Sequence, residues 1–232
     1  MIDLRTAPQI ALRREPLLSF LDERMPREPG FLTGFSAFWG EDLAIGLMAH
    51  YFLNLSQQSV WYSPRCTQGA RSGARLDCWL LVNDDKLYQV EIKNWAAATY
   101  GSGPPVPLAI EERALARYER DRWQQLWPER FRDETGLNKV LIPMEPPEEC
   151  AAMRPKPLLC LWWAIDPYGA HRPFFRKSLP RNMRGLAKTL HVFSLSSYLR
   201  SLASETVEIP FPRGHAKLEV LRGILDVGSN SH

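Results

Sequence analysis

The stretch Arg75–Trp95, RLDCWLLVNDDKLYQVEIKNW, constrains the fold more than any other part of the chain. β-Branched, aromatic and aliphatic residues stand on both sides of Asn83-Asp84-Asp85, the pattern of two strands joined by a tight polar turn. Three charges fall inside these strands: Asp77 in the first, Glu91 and Lys93 in the second, flanked by Val90, Ile92 and Trp95. Strand interiors rarely carry carboxylates, because burying an ionised group is costly unless it is paired or bound to a metal. Side chains alternate along a strand, so Glu91 and Lys93 point to one face together. For Asp77 to lie opposite Glu91, Val82 must pair with Lys86, which leaves the loop Asn83-Asp84-Asp85. A two-residue Asp84-Asp85 turn would instead set Asp77 opposite Ile92 and send Glu91 to the other face. The required loop needs a left-handed residue at its last position, which Asp tolerates, and a β-bulge between Asp77 and Asn83 is a second route to the same geometry. The plain alternative is an ordinary hairpin with an exposed Glu–Lys pair, worth about 0–1 kcal/mol.

The order of Asp77, a gap and then Glu91-Ile92-Lys93, with an apolar helix before it and a helix and strand after it, resembles the core of the PD-(D/E)xK nuclease superfamily. Leu76 stands where the motif's name has proline. The resemblance covers about residues 35–165. It implies an α/β fold, a mixed central β-sheet flanked by helices with a restriction-endonuclease-like core. It also implies a site in which Asp77 and Glu91 ligate Mg²⁺, or Mn²⁺ in its place, with the Ile92 main-chain carbonyl as a further ligand. By the same resemblance Lys93 orients a water or stabilises charge on the phosphorane. Glu41, from the preceding helix, acts through a metal-bound water. The implied activity is metal-dependent hydrolysis of DNA phosphodiesters, endo- or exonucleolytic, of a restriction, defence or repair type. The competing readings are a non-catalytic nucleic-acid-binding or assembly subunit with the same fold, and an RNA-directed nuclease.

Phe31–Leu55 holds the most apolar helix of the chain, and apolar residues nearly all round it place it centrally. Its acids are Glu41 and Asp42; Glu41 fits the resemblance better, while an acid pairing with an arginine is the structural alternative. Gln58–Ser63 reads as a strand, and the loop 64–74 brings Arg65, Arg71 and Arg75 toward Asp77. Arginine pairs bidentately with phosphate oxygens, so Arg71 and Arg75 are candidate nucleic-acid contacts; a plain polar connection is the alternative. A proline-containing loop follows Trp95, then an amphipathic helix over Ile110–Trp127, a short strand over Asn138–Met144 and a buried strand over Leu158–Ile165.

From Pro167 to Ser204 there is no Asp or Glu, and the tract carries Arg176, Lys177, Arg181, Arg184 and Lys188. Such segregation makes a positive surface for polyanions, unless acids from elsewhere in the fold balance it. A helix is expected over Pro180–Leu190, a strand over Val192–Leu195, and helices over Ser196–Leu202 and His215–Val227. Residues 1–30 offer a short helix at Pro16–Arg24 and no chemistry; the last five residues are expected to lack order. The 232 residues read as a single nuclease-like domain, core about 35–165, with a basic C-terminal extension over about 166–232.

The remaining bounds are broad. No apolar run is long enough to span a bilayer, no signal-peptide pattern is visible, and four cysteines without C-x-x-C spacing fit reduced thiols, so a cytoplasmic location is expected. Walker A, G-x-S-x-G, H-E-x-x-H and G-x-G-x-x-G elements are lacking. A homodimer or a partner protein is compatible with the sequence.

Overall fold

The computed structural model describes residues 1–22, 39–56, 59–64, 76–93, 140–141, 144–162, 172–179 and 188–229. The strands among them are β1 (Ile2–Asp3), β2 (Gln9–Arg13), β3 (Val60–Ser63), β4 (Cys78–Val82), β5 (Lys86–Lys93), β6 (Lys156–Leu161), β7 (Phe174–Ser178), β8 (Thr189–Ser194) and β9 (Thr206–Pro210). The helices are α1 (Arg14–Asp22), α2 (Glu41–Ser56), α3 (Leu195–Ser201) and α4 (Pro212–Ser229). Together they make an α/β fold built on a mixed seven-stranded sheet in the order β1-β3-β4-β5-β6-β8-β7. β1, β3, β4 and β5 pair antiparallel, β6 and β8 add in parallel, and β7 closes the edge antiparallel to β8. β2 and β9 form a separate antiparallel pair. The residues after 166 thus supply two strands of the main sheet.

Val82 pairs with Lys86, so the hairpin has the three-residue loop that the placement of Asp77 requires. The left-handed residues are its first two, Asn83 (φ 57°) and Asp84 (φ 56°), rather than the last as expected. Asp85 N donates to Val82 O at 3.4 Å, so the chain reverses over Asn83 and Asp84, two residue types whose short polar side chains tolerate this conformation. The turn is also tied sideways to β3. Asn83 N donates to Ser59 O at 2.8 Å, and Trp61 Nε1 donates to Asp84 Oδ1 at 2.9 Å.

α2 is apolar on nearly every side because it is covered on nearly every side: Ala44, Leu47, Met48 and Ala49 have no exposed surface. It packs against the sheet face that carries Tyr62, Cys78, Leu80, Val90, Leu158, Cys160 and Phe193, and against Val207 and Ile209 of β9. The other face carries Leu76, Trp79 and Leu87, covered by Met144 and Cys150. Fully buried Gln89 fixes that cover: its Nε2 donates to Val140 O at 3.1 Å, and its Oε1 accepts from Met144 N at 3.3 Å.

These contacts account for the departures from expectation. Val140 and Leu141 form a 3-10 turn rather than a strand, with Gln89 supplying the partner that a ladder would have given. Thr189 and Leu190 belong to β8 and not to a helix; residues 180–187 of that expected helix, the helix over 110–127 and the loop after Trp95 lie outside the described residues. β1 and β2 were not foreseen, and Gly228 and Ser229 continue α4. Cys78, Cys150 and Cys160 are buried free thiols. Among the described residues no helix is long and apolar enough to cross a membrane.

The approach of α2 to β9 is close. A Cβ on Gly46 would lie 2.5 Å from Pro210 O and 2.7 Å from Ile209 Cδ1. The carbonyl belongs to a strand paired with β2 and cannot retreat. Gly46→Ala should therefore destabilise the protein by about 1–3 kcal/mol, overriding the ~1 kcal/mol that helix propensity would return. A urea denaturation midpoint below that of the parent protein checks this.

Candidate active site at the split between β4 and β5

The last regular pair of the hairpin ladder is Cys78 with Val90. One residue further, Asp77 N donates to Val90 O at 3.2 Å, so two successive residues of one strand address a single residue of the other. This is a β-bulge, and it locally unpairs and bends the strand. Burial records the same break. Leu76 and Trp79 are three residues apart yet pack on one face with Leu87, where strict alternation would separate them.

The bulge turns the Asp77 side chain into the ladder. Asp77 Oδ2 accepts from Ile92 N at 2.5 Å, the place that the Leu76 carbonyl would fill in a continuing ladder. A carboxylate thus replaces main chain where the strands part.

Glu91 and Lys93 alternate with Val90 and Ile92, which belong to the α2 side, so their own side chains project from the face away from α2. Glu91 is 2% exposed, and its Oε1 accepts from Lys93 Nζ at 2.6 Å. The Lys93 side chain is one-quarter exposed. Burial, and then the charge of Glu91, push the Asp77 carboxyl up to about 7; the Ile92 amide offsets part of this, and the Glu41 charge adds to it. Asp77 and Glu91 are therefore electrostatic neighbours, with Lys93 as the cation between solvent and the pair.

Glu41 stands in the first turn of α2, on the opposite side of the sheet from Glu91, with Arg213 Nη1 3.7 Å away and its side chain 44% exposed. Its neighbour Asp42 is buried and held by Lys217 and by Arg213 Nε at 3.5 Å. Asp42 already has its counter-charges, so Glu41 is the acid of this helix left facing outward. Arg213 also donates to the Tyr62 hydroxyl at 3.3 Å, which links α4, α2 and β3. Arg213 and Lys217 were missed in the sequence. Their signal is a pair of cations one helical turn apart at the head of an amphipathic helix.

Asp77, Glu91 and Lys93 are electrostatic neighbours, and the Glu41 charge also reaches Asp77. Among the described residues no group of three His, Cys, Asp or Glu is close enough to hold a metal ion. Among the described residues the donors at the split are oxygens, two carboxylates and the Ile92 carbonyl. That set fits Mg²⁺, which keeps several waters and takes one or two carboxylates, and it does not fit Zn²⁺, which takes three or four protein ligands.

Arg71, Arg75, Arg181 and Arg184 lie outside the described residues. Arg176 and Lys177 are adjacent on β7, so they point to opposite faces, and Lys188 immediately precedes β8. The described part of the basic tract is thus not a single face, because its residues occupy an alternating strand. Comparison of the chain with family models, curated proteins and solved structures finds no match.

The raised Asp77 carboxyl has a consequence for stability. The folded state holds this proton more tightly than the unfolded chain, so stability is lost as pH rises from about 4 through about 7. Asparagine at this position keeps an oxygen for the Ile92 amide and carries no charge. In EDTA at pH 8, Asp77→Asn should be more stable than the parent by on the order of 1–4 kcal/mol, and this advantage should vanish near pH 4. Thermal melts across that range measure it.

Proposed function

We propose that this protein is a metal-dependent nuclease of the PD-(D/E)xK type, acting on DNA phosphodiesters. The observation that carries the reading is the hairpin register. It sets Asp77 beside Glu91 and Lys93 at an interruption of the sheet, where burial and the Glu91 charge push the Asp77 carboxyl up to about 7. The α2, β3, β4–β5 and parallel β6 order supports it, since the resemblance in the sequence implies that arrangement.

Asp77, Glu91 and the Ile92 carbonyl would hold a divalent cation, which would supply charge neutralisation at the phosphodiester and lower the pKa of an attacking water. The protein's own groups do the rest. Asp77 is oriented by the Ile92 amide, which prevents its carboxylate from turning away. Lys93 spends one of its donors on Glu91, and the others can meet a water or a phosphate oxygen. A compact ammonium suits this position better than a planar guanidinium.

The direct test incubates the purified protein with duplex and single-stranded DNA and with RNA, in Mg²⁺, Mn²⁺ or EDTA. Cleavage of DNA that EDTA stops is the expected result. Binding without any cleavage in either metal would favour the assembly or binding subunit, and cleavage confined to RNA would reassign the substrate. Lys93→Ala should lower cleavage by on the order of 10²–10³-fold or more in protein that still folds by circular dichroism, and Lys93→Arg should not restore it. Binding of DNA should weaken steeply as salt rises from 50 to 200 mM, by about tenfold for every one to two phosphates neutralised, as filter binding reads it.

A further inference from the structure

A second group of polar side chains converges by register alone, away from the split in the hairpin. Arg176 pairs with His191, and His191 with Leu158. Thr189 and Lys156 lie two residues earlier than His191 and Leu158 on their strands, so alternation brings Arg176, His191, Thr189 and Lys156 to the α2 side of the sheet. These four and Pro157 line a cavity of about 220 Å³.

His191 is 6% exposed, its ring stacked on Phe174 at 5.6 Å and edge-on to Tyr88 at 5.4 Å. The Pro157 carbonyl accepts a hydrogen bond from this ring, while Nδ1 has no hydrogen-bond partner. The donor to Pro157 is therefore Nε2, and Nδ1 presents a lone pair. Burial, and then the Arg176 charge, hold the imidazole down to about 4, which keeps it neutral. Asp85, the hairpin acid whose charge reaches Tyr88, pairs instead with Lys86 at 3.8 Å. Among the described residues neither Lys156 nor Arg176 is in an ion pair.

A cavity with two cations, a hydroxyl and a buried acceptor selects a ligand that is anionic and still carries a proton. We propose that this cavity binds a single hydrogen-phosphate group. Its size falls below the roughly 300–1,000 Å³ of pockets for drug-sized ligands, which matches a phosphoryl group and not a whole nucleotide. It is distinct from the site of Glu91 and Lys93. That site is on the other sheet face, and β8 lies two strands, about 10 Å, from β5. The inference does not depend on cleavage of DNA and can be tested without it.

Isothermal titration of the full chain near neutral pH with inorganic phosphate and with sulfate tests it, since only phosphate keeps a proton to donate to His191. Phosphate should bind at least about tenfold more tightly than sulfate, the value of one charge-assisted hydrogen bond. His191→Phe, which keeps the aromatic stack, should erase that preference. Lys156→Gln with Arg176→Gln should weaken both anions by about tenfold or more, with an unchanged thermal melt because neither side chain is buried. Equal affinity for the two anions, or phosphate binding that survives both changes, overturns the proposal. Competition by an oligonucleotide with a 5′-phosphate, but not by its 5′-hydroxyl form, assigns the ligand as a terminal phosphomonoester; competition by neither assigns it as the free ion.

Discussion

The hydrogen bond from the Ile92 amide to the Asp77 carboxylate is the contact on which the rest of the site depends. It exists because the ladder fails one residue after Cys78, and the ladder reaches that point in register because the chain turns over Asn83 and Asp84. Trp61 and Ser59 hold the turn from β3, so the register is set by three strands and not by two. A slip of one residue would exchange the faces of Leu87 and Tyr88 and bury the wrong side chains against both cores. Geometry at the split is thus enforced by apolar burial some distance away.

The acids near this end of the sheet show two solutions to one problem. Asp42 is buried with Lys217 and Arg213 at hand, and its charge is structural. Asp77 and Glu91 are buried near each other, Lys93 donates to Glu91, and Asp77 is pushed toward its neutral form. The first arrangement holds α4 to α2. The second carries a cost in stability through the raised Asp77 carboxyl, of the kind that functional sites commonly carry.

Much of this was legible in the sequence, for identifiable reasons. The hairpin, its loop length and the helix around Met48 follow from patterns of burial that single strands and helices impose on their own residues. What could not be read depends on contacts distant in the chain. β1 is two residues long and exists only through β3; β2 exists only through β9. The segment at Val140 looked like a strand because its residues are apolar, but Gln89, some fifty residues earlier, takes its polar groups. At the site, the alternation of Glu91 with Lys93 was plain, whereas the bulge that turns Asp77 between the faces leaves no mark in residue type. In the described part of the basic tract, Arg176 and Lys177 are adjacent in sequence and a strand divides them between two faces.

The pairing of β2 with β9 bears on how the protein is made. Residues 9–13 find their partner only at 206–210, and those same residues cover α2 through Ile209 and the close approach at Gly46. During synthesis, this apolar helix emerges about 150 residues before β9, the strand that covers it. Over that interval its flank is exposed, a condition that favours association between incomplete chains and engagement by chaperones. The contact between β2 and β9, about 200 residues apart in sequence, is among the most non-local in the fold and the slowest kind to form.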